Sequence, residues 1–151
     1  MFTIKVFSAN QKSKFPAEFT NDLLFDYDYR GVDDLKYFNP SFDKDGETLF
    51  FILIDEEQEM VCGNIAFGVM DKERFKSYKS SNWFEGIFIH DDYKGKGLSK
   101  KLLQYFFDFC SQHGIDSVLL SSYTDLGLER VKKNVSLYSE QYPEIKVFSN
   151  E

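Results

Sequence analysis

A short glycine-rich turn stands between two regular elements in the second half of the chain. From Tyr93 to Leu103 the sequence reads YKGKGLSKKLL. An apolar, strand-like run over residues 82–90 leads into this turn, and an amphipathic helical pattern over residues 98–110 follows it. A strand, a glycine turn and a helix start, in that order, expose backbone N–H groups to a phosphate. We therefore expect a phosphorylated ligand to bind at this turn.

The pattern of apolar residues around the turn predicts one domain over residues 1–151 with a mixed α/β (α+β) fold. Antiparallel strands come first and a β-α-β-α-β order follows, which predicts a mixed sheet with helices on both faces. Strands joined through a helix are expected to be parallel. The predicted strands lie at 2–7, 48–54, 60–70, 82–90, 116–122 and 145–148, and the predicted helices at 15–25, 98–110 and 125–142.

Composition supports a real core and sets the expected compartment. The chain has 151 residues, of which 42% are hydrophobic and 18% aromatic, and it has no apolar run long enough for a membrane span. The N-terminal residues alternate like a strand and do not resemble a signal peptide. Cys62 and Cys110 form neither a disulfide framework nor a zinc signature, and we expect two buried thiols. The expected location is therefore cytoplasmic.

The acidic charge is concentrated in the first half of the chain. The net charge is −7, and all of it arises from residues 1–75. A face of this sign repels nucleic acid and attracts amines or basic proteins, whereas the simpler interpretation is a solubilising surface. We expect neither nucleic acid nor a membrane as a partner.

Two common phosphate-binding motifs do not fit the turn. A Walker A loop needs four residues between its first glycine and the Gly-Lys-Ser/Thr, and that spacing is missing. A dinucleotide-binding Gly-x-Gly-x-x-Gly would need glycine where Lys100 stands. A nucleotide-binding hydrolase is therefore disfavoured.

The run from Gly86 to Ser99 resembles the acetyl-CoA motif of the GCN5-related N-acetyltransferase (GNAT) family. The family pattern is Arg/Gln-x-x-Gly-x-Gly/Ala, preceded by a hydrophobic strand and often by a tyrosine. Here Lys94 stands in the first position, Gly97 in the central one and Ser99 in the last. The resemblance in element order extends from about residue 48 to the C-terminus.

The resemblance implies how the donor, acetyl-CoA, is held. The strands 82–90 and 116–122 would splay apart, with pantetheine between them and the pyrophosphate on the amides that follow. Backbone groups of Ile87 and Ile89 would pair with the pantetheine, and no metal is implied. The implied cofactor-binding residues are Ile87, Phe88, Ile89, Lys94, Gly95, Lys96, Gly97, Leu98, Ser99 and Lys100.

The resemblance also implies two catalytic residues. Glu85 lies on the motif strand and is the candidate general base, since an amine must lose a proton before it attacks. Strand alternation predicts that Glu85 shares a face with Ile87 and Ile89. The alternative is a structural carboxylate paired with a nearby cation. His90, at the end of the same strand, is a weaker candidate base, and it also fits a role in supporting the turn.

Tyr138 resembles the tyrosine that protonates the departing thiolate in the family. It also falls in the apolar stripe of its predicted helix, so packing is the alternative role. Tyr123 is a second candidate for the acid.

The sequence thus predicts an acetyl-CoA-dependent N-acetyltransferase that acts on a primary amine by direct attack. A polyamine, an aminoglycoside or a protein lysine would suit the acidic N-terminal half. The alternative is a non-catalytic GNAT-fold module that binds acyl-CoA or another protein. A further alternative is a homodimer in which a second subunit completes the acceptor site.

Overall fold

A six-stranded sheet in the order β1-β2-β3-β4-β5-β6 forms the centre of the protein in the computed structural model. The structure describes residues 1–10, 12–18, 29–38, 46–73, 76–120 and 133–149. The strands are β1 Phe2–Ser8, β2 Gly46–Asp55, β3 Met60–Met70, β4 Asn82–Ile89, β5 Ser117–Leu120 and β6 Lys146–Ser149.

The direction of the strands changes in the middle of the sheet. The first four strands pair antiparallel, while β5 runs parallel to both β4 and β6. A tight turn joins β2 and β3, whereas a helix connects β4 to β5. The predicted mixed sheet and the order of its strands are confirmed.

Two α-helices pack on one face of the sheet, which we call the helix face. Helix α1 spans Leu98–Gln112, and α2 covers residues 133–139 of the described chain. Right-handed crossovers that advance in one direction place successive helices on the same side of a sheet. The amphipathic pattern predicted over residues 98–110 buries apolar side chains there at a spacing of three and four, namely Leu98, Leu102, Phe106, Phe109 and Cys110.

The opposite face, called the loop face, is covered by residues 29–38. This segment contains a 3₁₀ helix, Val32–Asp34, and its Val32 and Leu35 side chains are buried against the sheet. The sheet residues of the loop-face cluster are Phe7, Phe50, Ile52, Ile54, Val61 and Ala66. Among the described residues, the helical cover of this face is this short 3₁₀ helix, so the α-helices predicted on both faces are found on the helix face alone in this part of the chain.

The helix predicted over residues 15–25 is wrong for its described part. Glu18 instead forms a parallel bridge with Phe7. Its N–H donates to the Val6 carbonyl at 2.8 Å, and its carbonyl accepts from the Ser8 N–H at 2.7 Å. The edge of β1 that is not paired with β2 supplies these hydrogen bonds, so the backbone of Glu18 pairs with a strand instead of forming a helix. Residues 19–25 of the predicted helix, residues 121–122 of the predicted strand and residues 125–132 of the second helix lie outside the described residues.

A β-bulge interrupts β4. Gly86 pairs with Ala66 but Phe84 pairs with Phe67, so Glu85 is an extra residue without an opposite partner on β3. Phe84 therefore lies with Ile87 on the helix face, whereas strict strand alternation would place it with Phe88 on the loop face. Simple alternation fails here because the extra residue shifts its phase by one.

No helix among the described residues is long and apolar enough to cross a membrane.

Candidate active site

The glycine turn leaves open space in front of its backbone. It begins with a 3₁₀ helix, Asp91–Tyr93, and continues through Gly95 and Gly97, which have φ of 79° and 73°. L-residues rarely adopt this left-handed region, so the sequence needs glycine at both positions. A Cβ built on either glycine has nothing within 4 Å. A ligand can therefore approach the backbone of the turn closely.

The first turn of α1 presents free amides at the same place. Gly97 is the N-cap and makes no side-chain capping hydrogen bond. The Lys101 N–H donates to the Gly97 carbonyl at 3.2 Å, so the amides of residues 98–100 precede this bond and have no acceptor within the helix. The partial positive charge of a helix N-terminus adds to these donors. This is the geometry that an anion requires.

Lys94 and Lys96 are engaged within the turn. The Lys94 N–H donates to the Asp91 carbonyl at 3.3 Å, and Lys94 Nζ pairs with Asp91 Oδ1 at 2.8 Å. Lys96 Nζ lies 5.1 Å from the centre of the Tyr93 ring. The Lys94 amide is therefore partnered in this structure, unlike those of residues 98–100.

Tyr93 fastens the turn to the β2–β3 hairpin. Its hydroxyl donates a buried hydrogen bond of 2.8 Å to Asp55 Oδ2. Asp55 Oδ1 accepts from the backbone N–H groups of Glu57 at 3.1 Å and Gln58 at 3.3 Å. Burial, together with this bond, raises the pKa of Tyr93 to about 12, so the phenol stays a donor. The hydrogen bond between Tyr93 and Asp55 thus fixes the turn to a distant part of the chain.

Within the described residues, one edge of β4 has no strand partner beyond the first residues of the strand. The His90 N–H donates to the Cys62 carbonyl at 2.9 Å, which turns the backbone groups of His90 and Phe88 toward β3. Backbone groups of Ile87 and Ile89 therefore point to the opposite edge. There β5 pairs only as far as Phe84, which is opposite Leu120. Within the described ranges, no strand covers Ile87 and Ile89 on that side.

A cavity of about 620 Å³ connects this edge with the turn. It receives side chains from both the strand end and the loop face. Its lining consists of Asp34, Lys36, Tyr37, Ile87, Phe88, Ile89, His90, Asp91, Asp92 and Lys94.

The Glu85 carboxyl group is half-buried, and burial raises its pKa. Its Oε1 lies 3.9 Å from the position of a Cβ on Gly68, and Gly68 follows Ala66 by two residues on the loop face. Glu85 therefore points to the face opposite Ile87 and Ile89, and the predicted shared face is wrong. The bulge is the physical reason. A carboxyl group with a raised pKa is a better proton acceptor than an ordinary one.

His90 has a structural contact. Its Nε2 lies 3.2 Å from the Gly31 carbonyl oxygen, which ties the end of β4 to the loop face. This contact matches the supporting role that the sequence left open.

Tyr138 lies in the core of the helix face. Its ring stacks on Phe107 with centroids 6.2 Å apart and an angle of 17°, and burial raises its pKa. The structure therefore provides the packing role, while proton donation stays a prediction. Tyr123 lies outside the described residues.

The two cysteines are buried free thiols, as predicted. Burial raises the pKa of Cys62 to about 11, and burial also raises that of Cys110. Neither is poised as a nucleophile. In the described part of the chain, no three His, Cys, Asp or Glu side chains group together in a way that could hold a metal.

Sequence reasoning missed Asp55 and Tyr37. Both contact motif residues from distant parts of the chain, and no local pattern marks either of them. The one available signal was Gly86, because a glycine inside a covered strand often marks a close approach of another group.

Comparison with known proteins assigns the family. Residues 14–131 match the sequence profile of the acetyltransferase (GNAT) family. The chain belongs to this family. Against curated protein sequences the chain gives no match.

Eleven chains of solved structures match the fold. One is a ribosomal-protein-alanine N-acetyltransferase from Brucella melitensis biovar Abortus 2308, with 17% identity and a TM-score of 0.42. The alignment covers 65% of this chain and 62% of that chain.

The residues present fit the acetyl-CoA that GNAT enzymes generally use. The open glycines and the free amides of residues 98–100 suit a pyrophosphate. The uncovered edge at Ile87 and Ile89 offers alternating donors and acceptors to an extended amide chain. Phe88 does not contribute its backbone to that edge; its side chain lines the cavity instead, with Lys36 Nζ 5.6 Å from the ring centre.

Proposed function

We propose that this protein is an acetyl-CoA-dependent N-acetyltransferase that acts on a primary amine. One arrangement carries the proposal. The free amides of the turn, the uncovered edge of β4 and the half-buried Glu85 all belong to one continuous segment, residues 85–100.

The donor would be held by backbone rather than by side chains. The amides of residues 95–100 would bind the pyrophosphate, and the helix dipole of α1 would add to this attraction. Ile87 and Ile89 would hydrogen-bond the pantetheine arm and align it along β4. Acetyl-CoA supplies an acetyl group activated as a thioester, which an amine can attack directly.

Glu85 would act as general base. A primary amine has a reference pKa of about 10.4, so at neutral pH it arrives as an ammonium ion. Glu85 removes one proton, directly or through a water, and frees the nitrogen lone pair. The new bond joins nitrogen to the acetyl carbon while the bond from that carbon to sulfur breaks. The nitrogen loses a second proton as the amide forms.

The departing sulfur needs a proton to leave as a thiol. Tyr138 is the proposed proton donor. Because burial raises its pKa, the phenol would still carry its proton when the sulfur departs. A polyamine, an aminoglycoside or a protein lysine would be the acceptor. Three aspartates (Asp34, Asp91 and Asp92) and two lysines (Lys36 and Lys94) line the cavity, and this small excess of acidic groups favours a cation near its mouth.

The decisive experiment incubates the protein with acetyl-CoA and a panel of amines and follows free thiol. Amine-dependent thiol release, with an acetylated product of matching mass, supports the proposal. Tight CoA binding without release above hydrolysis would instead support the non-catalytic acyl-CoA-binding module.

A further inference from the structure

Tyr37 rests directly on the backbone of β4. Three carbons of its ring lie 2.5–2.8 Å from the position that a Cβ would take on Gly86. Real Cβ atoms essentially never come within 3.0 Å of another heavy atom. Residue 86 must therefore be glycine for as long as the Tyr37 ring keeps this place.

The contact lies beside the proposed base. Gly86 follows Glu85 in the chain and pairs with Ala66 across the ladder, while the Glu85 carboxylate reaches toward Gly68. Small residues thus form a shallow depression on the loop face next to the carboxylate, and the terminal methyl group of Met70 covers its part over Gly68, 2.6 Å from the position of a Cβ there. The Tyr37 ring covers the part of this depression that lies over Gly86.

The ring is also a wall of the proposed active-site cavity. Tyr37 lines the cavity together with Ile87 and Ile89, whose backbone edge is proposed to hold the donor. Its side chain is 43% exposed although one part of the ring touches the sheet. An open aromatic surface therefore stands between the cavity and Glu85.

We infer that Tyr37 sets the acceptor specificity of this site. The inference rests on the proposed acetyl transfer. The ring supports the alkyl part of an acceptor and narrows the space around the carbon that bears the amine. Amines on an unbranched CH₂, such as a lysine side chain or a polyamine end, can reach Glu85. Amines on a branched carbon, such as a peptide N-terminus or a ring amine of an aminoglycoside, meet the ring.

Two probes differ at the required position. Nα-acetyl-lysine amide carries its free amine on a CH₂, whereas alanine amide carries it on a branched carbon. We expect the wild-type protein to prefer the lysine compound by about 100-fold in kcat/KM, the effect of about 2.7 kcal/mol at the transition state. Tyr37→Ala should reduce this ratio at least about tenfold and leave the KM for acetyl-CoA unchanged.

Tyr105→Ala is the matched control, because Tyr105 is 38% exposed and lies on α1, on the opposite face of the sheet. It should keep the wild-type ratio. An unchanged ratio in Tyr37→Ala, or a wild-type preference for alanine amide, would overturn the assignment of Tyr37 alone. If no amine of the panel gives thiol release above background hydrolysis, the proposed function is overturned, and the specificity role of Tyr37 with it.

A stability measurement tests the contact without any ligand. Gly86→Ala should lower Tm by about 2–4 °C or more, since the new methyl group meets the ring. The same change in a Tyr37→Ala background should cost clearly less, because the ring is gone. Equal costs in the two backgrounds would show that Tyr37 does not occupy this place and would refute the inference.

Discussion

Gly97 and Gly114 flank the same helix in the same left-handed conformation, with φ of 73° and 71°. A Cβ built on either residue meets nothing within 4 Å. Gly97 belongs to the glycine turn before α1, whereas Gly114 follows the end of the helix. Substitution of Gly114 therefore measures the loss of stability that a side chain causes in this conformation, and substitution of Gly97 measures in addition the effect on ligand binding.

Gly97→Trp should abolish CoA binding without unfolding the protein. The indole would fill the space that the pyrophosphate needs, and loss of two charge-assisted hydrogen bonds costs about 3–6 kcal/mol. The Kd for CoA should then rise about 10²–10⁴-fold in a calorimetric titration. Gly114→Trp pays a similar backbone cost of about 1–2 kcal/mol and should bind CoA normally. Retained affinity in Gly97→Trp would remove the phosphate-turn assignment.

Glu85→Gln should lower kcat by about 10²–10⁴-fold and flatten the rise of rate with pH that Glu85 causes. The amide keeps the shape of the side chain but cannot accept a proton from an ammonium ion. Stopped or continuous thiol assays across pH 5–9 measure both effects. Glu140→Gln, at an exposed position after α2, should keep the wild-type profile. A Glu85→Gln profile that coincides with wild type would exclude Glu85 as the base.

The same substitution should change stability with a defined sign. Burial raises the pKa of Glu85 in the folded state, so the folded state binds more protons than the unfolded one between the two pKa values. The stability that protonated Glu85 contributes is therefore lost as the pH rises from the pKa of the unfolded state, about 4.3, through the raised pKa of the folded state. Relative to wild type, Glu85→Gln should gain stability across this window in urea titrations. A stability difference that does not vary with pH would contradict the burial of the carboxylate.

Tyr138→Phe separates packing from proton donation. The ring keeps its stacking on Phe107, so the Tm should stay close to wild type. If the hydroxyl protonates the departing sulfur, kcat should fall about 10²-fold or more while the KM for acetyl-CoA stays the same. Unchanged kcat would leave Tyr138 with its role in the core.

Tyr93→Phe should weaken both the fold and the turn. The substitution removes the bond to Asp55 and leaves a buried carboxylate with two amide donors, at a cost of about 1.5–3 kcal/mol. Thermal unfolding should detect this loss, and CoA affinity should fall because the turn loses its anchor. Tyr105→Phe, on the exposed side of α1, is the control and should change neither quantity. Normal CoA affinity in a destabilised Tyr93→Phe protein would show that the anchor serves the fold alone.

The sequence predicted most of the fold because its signals are local. The apolar run at residues 48–54 and the three-and-four spacing from Leu98 to Cys110 each need only neighbouring residues to be interpreted. The bulge at Glu85 could not be predicted in this way. Strand β4 carries apolar residues on both faces, so a shift of phase leaves no trace in its pattern.

The glycine turn could be predicted as a turn before a helix because its residues are consecutive, from Lys94 to Lys100, whereas phosphate binding there stays a prediction. The contacts of Tyr93 with Asp55 and of Tyr37 with Gly86 span 38 and 49 positions, and only the folded chain brings these pairs together. Residues that contact a site from distant parts of the chain have no fixed spacing from its motif, so a sequence motif cannot include them.

Gly97 has no side chain that could cap α1, so under the proposed function the stability of the folded protein would depend on the supply of the donor. An anion bound there completes the start of α1, and anything that binds only the folded state stabilises it by RT ln(1 + [L]/Kd). At a donor concentration of 100 times Kd the gain is about 2.7 kcal/mol. If the protein binds acetyl-CoA as proposed, a larger fraction of it would be unliganded when acetyl-CoA is scarce, unfolding would expose it more often to proteases, and its abundance should fall.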